Sequence, residues 1–138
     1  MDVVFPDADL VVRDYLREQL AARTDDLDAQ DARVEAAELP SARPYGVLVL
    51  VTALGGTVTD VIGAHQVEIQ VWHPNPRKAS RLAQVCRALL ERMVGVFDGV
   101  VCYGASADPP VFLPDPIDGS TPVATLTATV RLRGADLS

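Results

Sequence analysis

Histidine, cysteine and carboxylate are the side chains here that could bind a metal or activate a nucleophile, and their spacing decides whether they can act together. His65 and His73 flank the alternating segment 66–72. In an extended strand, residues eight apart share a face but stand about 26 Å from each other. They cannot share an ion, and no Cys or carboxylate cluster near either has the spacing of a zinc site. A nucleophile–base–acid set can be written as Cys102, His73 and Asp60, but no G-x-S-x-G elbow organises it, and no glycine-rich loop followed by Lys offers a phosphate cradle. The acidic run Thr24–Asp31 is not a calcium loop. Counted from Asp26, the sixth and twelfth positions hold Asp31 and Ala37, where Gly and Glu are needed.

A sharper pattern is Asp115-Pro116-Ile117-Asp118-Gly119-Ser120-Thr121. It resembles the D-P-[IL]-D-G-[ST] signature of inositol monophosphatase-like enzymes, a resemblance that implies two aspartates holding catalytic magnesium. Magnesium requires several oxygens in a near-octahedral arrangement. The family draws the others from an acidic pair upstream and a Trp-Asp motif well downstream. This chain has no Glu-Glu pair, and only seventeen residues follow Thr121. Asp-Gly and Pro are ordinary turn residues, so the segment is read as a turn. No catalytic residue, metal or cofactor is assigned; a magnesium-dependent phosphatase using Asp115 and Asp118 is the rival from another class.

A chain of 138 residues suits one domain with one core. Apolar residues form 49% of it and aromatics 5%, so that core must be built from Val, Leu, Ala and Ile. The net charge of -7 opposes phosphate backbones and argues against sequence-specific nucleic-acid binding, while leaving open a negative surface past which DNA slides. No apolar run reaches membrane-spanning length, and Met1–Pro6 lacks the basic start of a signal peptide. The expectation is a protein made and kept in the cytoplasm, with Cys86 and Cys102 as buried free thiols.

Asp7 is a credible cap for a helix near 8–23, on which Leu10, Val11, Tyr15, Leu16 and Leu20 recur at three- and four-residue spacing. The stretch 24–31 reads as a solvated loop and 33–39 as a short strand. Gly46–Val51 reads as a central strand pairing with 66–72 across a long connection, about 55–65, whose tip projects beyond the sheet. Asn75-Pro76 opens a second helix, with Ala79, Leu82, Ala83, Cys86, Leu89, Leu90 and Met93 inward. Arg77, Lys78, Arg81, Arg87 and Arg92 give it a basic face, and Gly95 and Gly99 end it. Val100–Tyr103 is a strand, 109–114 an edge strand or extended loop, and 124–133 a long, half-buried closing strand. The sum is an α+β domain: a mixed, mainly antiparallel sheet of about five or six strands with two helices packed on one face. The other face would carry Glu68, Gln70, Trp72, Thr125, Thr127, Thr129 and Arg131, with Trp72 either covered by loops or available as an anchor.

Several marks in order resemble small tail-terminator, or tail-completion, proteins of long-tailed phages infecting actinobacteria. They are Phe5-Pro6-Asp7 and the helix with Tyr15-Leu16; the apolar strand ending in Gly55-Gly56; Val67–Trp72; the helix with Leu82-Ala83 and Arg87–Leu90; and Pro114-Asp115-Pro116 before a strand ending Val130–Gly134. The resemblance implies a non-enzymatic virion protein at the tail–head junction: a hexameric ring that caps the tail tube, stops its polymerisation and meets the head connector, with DNA passing through. Its partners would be further copies of itself, the major tail tube protein and the connector or head-closure protein. Thr57, Asp60, Val61, Trp72, Thr127 and Arg131 are the candidate interface residues. A head-closure or connector adaptor of the phage neck is the nearest alternative.

Overall fold

The structure, a computed structural model, describes residues 2–41, 45–114 and 122–136. The chain runs β1 (Val3–Val4), α1 (Ala8–Ala21), α2 (Leu27–Asp31), β2 (Arg33–Ala36), β3 (Leu48–Thr59) and β4 (Ile62–Trp72). It continues through α3 (Pro76–Glu91), β5 (Gly95–Phe97), β6 (Val100–Ala107), β7 (Val111–Pro114), β8 (Pro122–Arg133) and β9 (Ala135–Asp136). A seven-stranded sheet has the order β2-β3-β4-β8-β6-β5, with β7 also on β8, and β1 pairs β9 separately. Only β2–β3 is parallel in the large sheet. The architecture is the expected α+β: among the described residues a mixed, mostly antiparallel sheet of six to seven strands, with a short third helix, α2, besides the two expected.

Period-two alternation fixes the sheet's faces. Val49 and Val51, then Val67, Ile69 and Val71, then Ala124, Leu126, Ala128, Val130 and Leu132 point to one side, where α1 and α3 cover them. The helices contribute Val12, Leu16 and Leu20, and the whole stripe expected of α3. The Tyr15 hydroxyl donates to the Leu89 carbonyl at 2.5 Å, tying α1 to α3. Asn75 caps α3 as its sequence implies, accepting from the Arg77 N–H at 3.0 Å. Asp7 stands at the cap position of α1, but its carbonyl and not its carboxylate takes the first helical N–H groups.

Three expectations are corrected. The acidic stretch is not a solvated loop. The Asp26 carboxylate accepts from the Ala29 N–H at 3.2 Å, caps α2, and is itself buried against Arg81. The β3–β4 connection is not an eleven-residue loop either. It is the pair Asp60-Val61, with Asp60 at φ 51°. Gly55 and Gly56 belong to the strand, beside a bulge between Ala53 and Gly55. Gly56 is needed there because a Cβ would lie 2.0 Å from the Ala64 carbonyl oxygen. β8 runs alongside β4 to Ile62, and the Gly134 N–H bonds the Val61 carbonyl at 2.7 Å, so the tip does not stand beyond the sheet. Finally, α3 ends at Glu91, before either glycine; Gly95 opens β5, and Asp98-Gly99, at φ 51° and 80°, make the two-residue turn into β6.

Candidate interaction surfaces

The face opposite the helices is divided along its length. At one end Tyr45, Leu48, Leu50, Trp72 and Val123 form a second, small core, with Leu39 packed on it. Trp72 is 5% exposed, so of the two readings open to it the covered one holds, and it is not available as an anchor. The middle of the face is polar: Thr52, Glu68 and Thr127 lie in one cross-strand row. The far end is cationic. Thr57, Ala64, Arg131 and Gly104 form another row, and Arg133 donates to the Tyr103 hydroxyl at 3.1 Å. The fold therefore brings Thr57, Thr127 and Arg131 onto one face. It leaves Asp60 and Val61 in the turn beside them, and removes Trp72 to the opposite end.

The titratable groups sequence reasoning singled out are dispersed. His65 packs against Phe5 with the rings tilted at 59° and centroids 5.4 Å apart, and burial holds its pKa below the ordinary imidazole value. His73 accepts the Asn75 N–H at Nδ1, 2.9 Å, and faces Asp28 from Nε2 at 3.1 Å, which joins α2 to the start of α3. Burial pushes the Cys86 thiol up to about 12 and raises Cys102, and both cysteines are free thiols. Arg81 and Arg87 of the basic face are engaged with Asp26 and with the Ala107 carbonyl. Among the described residues no group of three or more His, Cys, Asp or Glu side chains could hold a metal ion. The Asp115–Thr121 pattern lies outside the described residues.

The sheet's edges differ in what they leave unbonded. The Asp108 N–H donates to the Thr127 carbonyl at 2.9 Å, which turns odd-numbered β8 residues toward β6 and β7 and even-numbered ones toward β4. By alternation β4 directs its even residues to β3, and Ala53, Gly56 and Val58 then point their N–H and C=O groups outward. The Ala37 N–H bonding the Val51 carbonyl at 2.9 Å agrees with that phase. β2 covers β3 only as far as Val51, so from Thr52 to Thr59 the outer edge of β3 is open among the described residues. Two other edges are blunted. Arg17 and the Glu38 N–H take the outward carbonyls of Val34 and Ala36 on β2, and on β7 the outward residues are Phe112 and Pro114, of which Pro114 has no N–H to offer. The β3 edge is hidden from sequence reasoning because a Gly-Gly pair reads as a turn. The signal available was an uncharged, proline-free run from Leu48 to Thr59.

No family model matches the chain, and no curated protein does. Among solved structures, one designated only by a sequence identifier superposes with a TM-score of 0.51 at 14% identity, covering 94% of this chain and 94% of that one. That likeness is one of fold.

Proposed function

We propose that this chain is a non-enzymatic virion protein of a long-tailed phage that assembles as a hexameric ring at the head-proximal end of the tail tube. There it ends tube polymerisation and joins tail to head connector. The observation that carries the reading is the β3 edge: eight consecutive residues with no charge and no proline, their outward backbone groups without a strand partner among the described residues. Soluble proteins blunt such edges, as β2 and β7 are blunted here, because an open one pairs with another chain. Leu54 and Val58 on this strand are exposed apolar side chains, and others stand on β7 (Val111 to Leu113) and, across the sheet, at β5 (Val94 and Val96). An edge that carries exposed apolar side chains is suited to meeting other proteins. The sequence resemblance supplies the particular assembly.

Electron microscopy of particles made without this protein tests it. Overlong, headless tails are the expected result. Free tails of normal length beside leaking heads would assign the protein to head closure instead, and intact infectious particles would overturn both readings.

A further inference from the structure

We propose that neighbouring copies of this chain meet by seating the Arg131–Arg133 patch of one in an acidic groove beside α1 of the next, a contact that rests on the ring reading and gives it a specific interface. The groove, about 630 Å³, lies between α1 and the β5–β6 hairpin. Tyr15 and Phe97 meet edge-on at its floor, centroids 5.1 Å apart, and Asp7, Asp14, Glu18 and Asp98 line it. Among the described residues Arg13 is the one cation in the lining, and the Asp14 carboxylate already holds it at 3.0 Å. The groove thus keeps a surplus of negative charge around an apolar floor.

The complementary patch is on the same chain. Arg131 and Arg133 project from the sheet face opposite the helices, with Tyr103 43% exposed and Ile62 39% exposed beside them. Patch and groove lie at one end of the molecule. Asp7 shares a cavity with His65, which pairs with Val130, the residue before Arg131; the β5–β6 turn precedes Cys102, which pairs with Leu132. Two complementary but distinct surfaces on one chain make a heterologous contact, the kind that closes into a ring when the rotation per subunit divides a full turn. Charge complementarity also sets the register between copies and disfavours a face-to-face dimer, which would oppose like charges.

The test is charge reversal in trans, read by sedimentation velocity against concentration at low salt. The wild-type chain should self-associate, less so as salt is raised. Arg131→Glu/Arg133→Glu and Asp14→Arg/Glu18→Arg should each weaken association by at least about tenfold. Mixed one to one, they should associate again as an alternating species, because each reversed surface then meets its complement. Unaltered thermal melts of both variants, whose substituted side chains are exposed, exclude misfolding. If either variant associates like wild type, or the mixture stays monomeric, this contact is wrong while the ring reading stands. A wild-type chain that is monomeric at every concentration and salt overturns both.

Discussion

Tyr45 stands edge-on to Trp72, ring centroids 5.7 Å apart and planes at 88°, and closes one end of the sheet face that is otherwise open. The pair joins the segment before β3 to the last residue of β4. Leu48 and Val123 fill the space beneath. The tryptophan therefore belongs to packing and not to recognition. Trp72→Ala should cost about 3–5 kcal/mol of folding stability, the range for truncating a buried large aromatic. Chemical denaturation monitored by far-UV circular dichroism measures it. A variant as stable as wild type but impaired in assembly would return Trp72 to the interface.

Asp26 does two jobs from one buried position, capping α2 and pairing with Arg81 of α3. The hydrogen bond from Arg81 holds its carboxyl below the ordinary aspartate value. A depressed folded pKa contributes stability that is present above the unfolded value, near 4, and is lost as pH falls through the folded one. Asp26→Ala should destabilise by at least the roughly 1 kcal/mol of a lost helix cap at pH 7. Asp26→Asn should flatten the acid side of the stability profile. Denaturant midpoints from pH 6 to pH 3 for the three proteins decide this, and parallel profiles would refute it.

His65 reports on the opposite end of the core. Its ring packs on Phe5, and its Nε2 is buried with no hydrogen-bond partner among the described residues. Protonation in that site is opposed by burial, so the folded pKa lies below the unfolded one, and the unfolded chain takes up a proton first as pH drops. Stability should decline as pH falls below about 6.5. His65→Gln should reduce that slope, although it loses the ring contact at every pH. Melting temperatures at pH 7.5 and 5.5 are the measurement, and a wild-type protein more stable at the lower pH would contradict the mechanism.

What the sequence disclosed and what it hid have separate physical causes. The half-buried strand 124–133 and the stripe of α3 were legible because burial on one side imposes a period on the residues themselves. The short helix α2 (Leu27–Asp31) was not, because its cap Asp26 is buried by a partner 55 residues away. A local reading sees only an acidic stretch. Gly55-Gly56 misled for the converse reason: glycine satisfies a turn and a tightly packed bulge equally well, and only the approach of Ala64 distinguishes them. The interface candidates Thr127 and Arg131 follow on one face from alternation alone, whereas Thr57, expected in the projecting 55–65 connection, joins that face only through its pairing with Ala64. The acidic groove could not be foreseen, since it joins α1 to β5, a strand whose three residues carry no periodic signal.

The two thiols should behave alike toward reagents, because Cys86 lies in the core beneath α3 and Cys102 beneath β6. Burial raises both, Cys86 to about 12, so neither presents a thiolate at neutral pH. Native protein should resist a colourimetric disulfide reagent at pH 8 and react with two equivalents once unfolded in guanidinium. Rapid reaction of one equivalent in the native state would mean that one of these sites opens to solvent.

The bulge in β3 offers the last test, because there the fold and the open edge share one residue. Gly56 has φ 156° and sits so close to β4 that a methyl group at its Cα would meet the Ala64 carbonyl. Gly56→Ala must push β3 away from β4 or rotate its outward N–H and C=O groups, and either change disturbs the edge that the proposed assembly uses. A loss of about 1–3 kcal/mol in stability is expected, the cost of overpacking or of a strained local backbone. Gly55 faces open space and serves as the control: Gly55→Ala bears only the strain of its φ of 106°, without the collision. If the strand is built as described, Gly56→Ala is the more damaging of the two to both stability and self-association. Equal effects would mean that Gly55 and Gly56 lie in a turn after all, since in a turn neither would face a neighbouring strand's backbone.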